Sequence, residues 1–172
     1  KTTACGNASG SFGGLLQSRR GLTSRQCEAV LSRNPRPVSI KIEGFIVVHF
    51  SEYVCSDGLG LADLIRRKEL TANEAALLAL EGFQTINPQI NAEIDVYHDR
   101  IDGVEQLTPS YRPFLGVPFL LKDLGATDAG RPQEMGSRLA KGNMPTKDAL
   151  LTSRFKEAGL SIIGRTATPE MG

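Results

Sequence analysis

Cysteine is scarce in this chain, and its placement is uninformative for chemistry. Cys5, Cys27 and Cys55 are odd in number, widely spaced and confined to the first third. That pattern suits neither a disulfide framework nor a Cys-x-x-Cys metal knuckle, and a reducing cytoplasm is the simpler setting. Charge of one sign is also lacking, because 20 Lys/Arg oppose 19 Asp/Glu for a net charge of +1. The first 57 residues carry seven basic against four acidic side chains, an excess too small for a nucleic-acid-binding arm. Long apolar runs are missing as well. The stretch Phe45 to Val48 falls far short of the roughly 20 residues that cross a bilayer, so neither a membrane span nor a signal peptide is expected. Asn7-Ala8-Ser9 matches a glycosylation acceptor, and without an export signal it reads as a chance tripeptide. No phosphate loop, dinucleotide fingerprint or internal repeat occurs, and His49 and His98 lack metal-ligand spacing. Nothing present implies a metal or an organic cofactor. Oligomeric state is not readable.

The chain does have the size and composition of a folded domain. With 172 residues, 40% hydrophobic and 23% charged, it can bury a core of ordinary proportions. The patterning divides it in two. Residues 1–57 cluster Gly and Ser from Gly6 to Gly14 and bracket Arg36 with Pro35 and Pro37; they read as an irregular leader, loosely ordered or foreign to the domain. The chain opens on Lys1 and has its first methionine at Met135, so its start is not expected to be the natural one.

Residues 58–172 read as α/β. Leu61, Leu64 and Ile65 share one face of a short helix, and Thr71-Ala72-Asn73-Glu74 has the form of a capping box opening the next. That helix is expected to bury Ala75, Leu78, Ala79, Phe83 and Ile86 and to stop near Ile86, because Pro88 has no amide hydrogen. Ala92, Ile94 and Val96 alternate with polar residues as in a half-buried strand. A short helix near 99–107 follows. Val117 to Leu121 is a continuous apolar run, the pattern of a strand covered on both faces, with Pro118 at its start. Residues 125–145 form a Gly/Pro-rich loop long enough to suggest function or a partner surface. Thr146 is the expected cap of a helix that turns Leu151, Phe155 and Ala158 inward and ends at Gly159. Leu160 to Ile163 then supply a buried strand.

The chemically interesting atom is the amine of Lys122, where the apolar run GVPFLLKDL gives out beside Asp123. Ammonium is strongly solvated, so a lysine held in a dry interior favours its neutral, proton-accepting form. The bland alternative is a lysine that reaches solvent or pairs with Asp123 or Asp128. Other constellations are weaker. Ser153 and Lys156 match S-x-x-K, but inside an amphipathic helix and without companion motifs. Ser137 lacks a glycine-flanked elbow, and Arg66-Arg67-Lys68 is a charge run at a helix end.

Taken together, G-V-P-F-L-L-K-D-L, Gly136-Ser137-Arg138, the segment Lys147 to Ala158, I-I-G-R-T at 162–166 and T-P-E at 168–170 resemble the amidase signature family of serine-type C-N hydrolases. The resemblance covers residues 59–172. Within the family, F-L-L-K-D-L and T-P-E-M-G look most like the bacterial branch that includes 6-aminohexanoate cyclic dimer hydrolases. It implies the amino-terminal portion of an α/β/α sandwich with a mixed sheet, and a small-molecule carboxamide as substrate. It also implies a Ser-Ser-Lys triad in which Lys122 is the base, with Asp123 positioning a loop. Both serines would come from a Gly/Ser-rich run, and none like it lies after Lys122. The chain is therefore expected to be incomplete and inactive alone, exposing unpaired sheet edges and apolar faces. Arg165 and Ala167 stand where the family often has lysine and asparagine. The alternative is a non-catalytic remnant or a module that binds through its sheet edge.

Overall fold

The computed structural model describes residues 50–103 and 112–172. The chain divides into two units, Lys1–Leu70 and Thr71–Gly172. In the first, α1 (Phe50–Cys55) precedes α2 (Gly58–Arg66), whose N-terminus is capped by Asp57 accepting from the Gly60 amide at 2.7 Å. Leu61, Ala62 and Leu64 are buried, as helical spacing dictates. Cys55 is disulfide-bonded, which corrects the expectation that these cysteines do not build a disulfide. The other two cysteines lie outside the described residues, as does most of the expected leader.

The second unit holds a three-stranded mixed sheet in the order β1-β3-β2. Its elements in chain order are α3 (Ala72–Ile90), β1 (Glu93–Val96), α4 (His98–Gly103), β2 (Pro118–Lys122), α5 (Leu150–Glu157) and β3 (Ser161–Thr166). The capping box opens α3 as its letters require. Thr71 Oγ1 accepts from the Glu74 amide at 3.1 Å, and the Glu74 carboxylate accepts from the Thr71 amide at 2.7 Å.

The helix does not stop at Ile86 but runs through Pro88 to Ile90. A proline this close to the end forfeits a single bond, and Gln84, whose carbonyl loses its donor, is exposed to water. Asn91 in the left-handed region, at φ 50°, then ends it. Ala75, Leu78 and Ala79 are buried as expected, but Ile86 is exposed. The helix near 99–107 is described only to Gly103.

Helix α5 begins later than its sequence suggests, with Ala149 rather than Thr146 as N-cap. The preceding residues are used elsewhere. The Ala149 amide donates to Thr127 O, Thr127 Oγ1 donates to Lys147 O, and Asp148 accepts from the Ala129 amide. With that start, Thr152 turns inward, while Leu151 is exposed. Phe155 packs on Phe119 with ring centroids 4.9 Å apart. Gly159 ends the helix at φ +96°, and a Cβ there would meet Leu115 Cα at 2.8 Å, so only glycine fits.

β2 runs parallel to β3 and β1 antiparallel to it. Burial along β2 falls short of a strand covered on both faces: only Leu121 is buried. Both pairings shift register, and in consequence Arg165 lies opposite Asp95 on one side and Leu121 on the other. Tyr97, Leu121 and Ile162 form a buried cluster against which Phe119, Ala126 and Phe155 pack. Ile90, Ile94, Leu139 and Leu150 remain exposed, and β2 has one edge unpaired among the described residues.

Candidate active site

Lys122 is the last residue of β2 and lies opposite Thr166. Its backbone is fixed on both sides by that residue, because the Asp123 amide donates to Thr166 O at 3.0 Å and Thr166 Oγ1 donates to Leu121 O at 3.4 Å. Burial alternates at this point. Leu121 and Asp123 are buried and Lys122 between them is exposed. The desolvation that sequence reasoning attached to Lys122 is therefore not supplied by the described residues.

Nor is a counter-ion supplied, since none of the hydrogen bonds or ion pairs among the described residues involves the Lys122 amine. The two acids that the bland reading would pair with it are committed elsewhere. Asp123 Oδ1 accepts from Arg165 Nη1 at 2.8 Å and from the Glu134 amide at 2.9 Å, and its Oδ2 accepts from the Gly136 amide at 3.3 Å. Asp128 accepts from both Arg100 and Lys156.

Arg165 is the residue whose importance the letters understated. Only 10% of its side chain is exposed, and it faces three carboxylates from three segments. These are Asp123 at 2.8 Å, Glu134 at 3.3 Å and Asp95 at 3.6 Å. Burial pulls its pKa down, but the bonds and charges of Asp123 and Glu134 together outweigh burial and hold it above the ordinary value. The Gly142 amide, and then Arg165, hold the Glu134 carboxyl below its usual range. The available signal was a cation placed directly after the buried run Ile162-Ile163-Gly164, a position where charge must be paired.

The loop after Lys122 is pinned from two sides. The Met135 amide donates to Asp123 O at 3.1 Å and the Met171 amide to Met135 O at 2.9 Å. Gly136, at φ +64°, lies so close to the tail that a Cβ would come within 2.6 Å of Thr168 O. Ser137 donates to Glu170 at 2.7 Å and accepts from the Leu139 amide, so its hydroxyl is occupied in holding the loop. Ala167 contributes its backbone amide to Ala92 O. Lys156, the second lysine of interest, is bonded to Asp128 and Asp148. His49 lies outside the described residues, among which no group of three or more His, Cys, Asp or Glu could hold a metal ion. No helix among them is long and apolar enough to cross a membrane.

Comparison with known proteins places the chain in a family. The amidase family model matches residues 74–172, and the chain belongs to that family. It is 32% identical over 118 residues to the 6-aminohexanoate-cyclic-dimer hydrolase of Paenarthrobacter ureafaciens, covering 67% of this chain and 24% of that protein. It is likewise 32% identical over 123 residues to the lipoamidase of Enterococcus faecalis, covering 71% and 17%. A solved 6-aminohexanoate cyclic dimer hydrolase, complexed with substrate, superimposes with TM-score 0.62 at 33% identity over 68% of this chain and 24% of its own. The chain thus spans about a quarter or less of the length of these relatives.

Proposed function

We propose that the protein is an amide hydrolase in which Lys122 is the proton acceptor of a Ser-Ser-Lys triad and Asp123 a positioning residue. The observation that carries this reading is the pairing pattern: Asp123 is saturated by Arg165 and two amides, and the adjacent amine has no anion among the described residues. A lysine tied to a carboxylate is held protonated. One without such a partner releases its proton once water is removed from around it.

In this reading a serine hydroxyl passes its proton through a second hydroxyl to the Lys122 amine as its oxygen attacks the carboxamide carbon. The tetrahedral oxyanion collapses, the C-N bond breaks, and Lys122 returns the proton to the leaving amine. Water then opens the acyl-serine. The segment of 172 residues carries the amine and no Gly/Ser-rich run after it, so alone it is expected to be inactive. The cover that dries Lys122 would have to come from further residues of a longer protein.

The test is release of ammonia or amine from simple carboxamides by a protein spanning the full family length. Lys122→Ala is expected to lower turnover by at least about 1,000-fold, the scale of losing a triad base. Turnover by the 172-residue chain itself, abolished by Lys122→Ala, would overturn the assignment of roles, because it needs a serine among the residues present. A binding module is the second reading, favoured by the unpaired edge of β2. An in-frame Gly/Ser-rich segment in the coding DNA beyond Gly172 discriminates against it.

A further inference from the structure

The acid beside Lys122 is buried, and a buried carboxylate without a counter-charge is costly enough to recruit whatever cation lies within reach. By covalent adjacency that cation is Lys122. In the structure the recruitment does not happen, and the reason is geometric. Register places Arg165 opposite Leu121, one residue before the lysine, and the burial pattern puts Leu121 and Asp123 on the interior side and Lys122 on the exposed one. Arg165 reaches Asp123 on that interior side at 2.8 Å, while its remaining nitrogens face Glu134 at 3.3 Å and Asp95 at 3.6 Å. The Glu134 and Gly136 amides complete the shell around the Asp123 carboxylate.

We propose that Arg165 is a positioning residue that keeps the Lys122 amine unpaired by neutralising Asp123 from the opposite side of the strand. The inference rests on the reading of Lys122 as a proton acceptor, since only a group that must shed its proton needs to be kept from an anion. Charge balance makes the device specific. Three carboxylates surround one guanidinium, so removing it leaves Asp123, Glu134 and Asp95 in net negative surroundings. Asp123 is the buried member of the three and the one joined to Lys122 through a single peptide bond. Its rotation toward the lysine would then form the ion pair that the native arrangement prevents. A lysine at position 165 retains the charge needed to hold Asp123, whereas glutamine does not.

The amine's freedom is read in the chain as it stands by competitive acetylation with a trace of acetic anhydride at mildly alkaline pH. Peptide mass spectrometry then gives Lys122 labelling relative to the exposed Lys141 and Lys147. Arg165→Gln is expected to lower relative labelling of Lys122 by about tenfold, the loss of free amine that one unit of pKa produces. Arg165→Lys restores it to within about twofold, and so does adding Asp123→Asn to Arg165→Gln, because the anion that would capture the lysine is gone. A purely structural role for Arg165 predicts no such rescue by Asp123→Asn. Unchanged labelling in a folded Arg165→Gln variant, or a loss that the double variant does not reverse, overturns the proposal.

Should Arg165→Gln fail to fold by circular dichroism, NMR of the lysine ammonium protons in the unaltered chain decides instead. Lys122 protons that exchange as fast as those of Lys141 support an unpaired amine, and slowed, carboxylate-coupled protons refute it. Acetylation reports only on the amine, so its failure leaves the hydrolase assay of the longer protein standing, and failure of that assay leaves the acetylation result standing.

Discussion

Two lysines of the same unit show what a charged side chain becomes under different surroundings. Lys156 on α5 donates to Asp128 at 2.9 Å and to Asp148 at 2.6 Å, while Asp128 also takes two bonds from Arg100, at 2.5 and 3.0 Å. Around Lys122 the acids are closer still in sequence, yet Arg165 and backbone amides satisfy the neighbouring one. The first region uses its cation for cohesion. The second pairs its buried acid with an arginine and leaves the exposed lysine beside it without an ion pair among the described residues.

The largest effect that separates the two regions is on stability. Asp128→Asn leaves Arg100 and Lys156 facing a neutral amide in a site where the aspartate side chain is 3% exposed. The expected cost is about 2 kcal/mol, below the usual figure for breaking a buried pair because Lys156 is itself well solvated. Lys122→Ala, by contrast, is expected to change stability by less than about 0.5 kcal/mol, as for an exposed side chain. Urea unfolding followed by far-ultraviolet circular dichroism measures both. Equal losses would erase the distinction.

Acid should sharpen the same contrast more gently. Burial pushes the Asp128 carboxyl up, but the bonds from Arg100 and Lys156 outweigh it and hold it below the ordinary value. The Ala129 amide, and then Lys156, lower Asp148 in the same direction. A carboxyl depressed on folding contributes stability that is complete above its unfolded value, about 3.9, and is lost as pH falls through the lower folded value. Urea midpoints should therefore hold from neutrality to about pH 4 and fall below it. In Asp128→Asn the fall should be shallower, whereas Lys122→Ala should track the unaltered chain. A parallel fall in Asp128→Asn would mean that other carboxylates carry the acid response.

Much of the α/β order was legible because apolar period and capping letters agree locally: Thr71 and Glu74, the run ending at Lys122, and Gly159 each sit where their chemistry directs. The errors fell where a local rule met a tertiary demand. Thr146 is a good cap in isolation, yet residues 147–149 bond to residues 127–129 instead. Pro88 is a good stop, but a last turn open to water tolerates it. The lysine itself was visible as the end of an apolar run, and its exposure was not, because covering depends on residues distant in the chain. Arg165 was legible as a cation following a buried run and as a departure from a family habit, but its partners were not. Its three acids come from β1, the residue after β2 and the following loop, a convergence that no spacing rule encodes.

One polar group in the cohesive region breaks its own pattern, and altering it gives the smallest effect. Thr152, one helical turn before Lys156 on α5, is fully buried, and its hydroxyl has no hydrogen-bond partner among the described residues. A buried hydroxyl without a partner carries an uncompensated desolvation cost, and replacing it by a methyl of nearly the same shape removes that cost. Helix preference hardly enters, because valine and threonine are both β-branched and rank together. The net expectation for Thr152→Val is a stabilisation of about 0.5 kcal/mol, seen as a higher urea midpoint at unchanged slope. A loss of about 1 kcal/mol instead would show that the hydroxyl is satisfied by an internal water. Polar saturation would then be complete around Lys156, making the unpaired amine of Lys122 stand out the more.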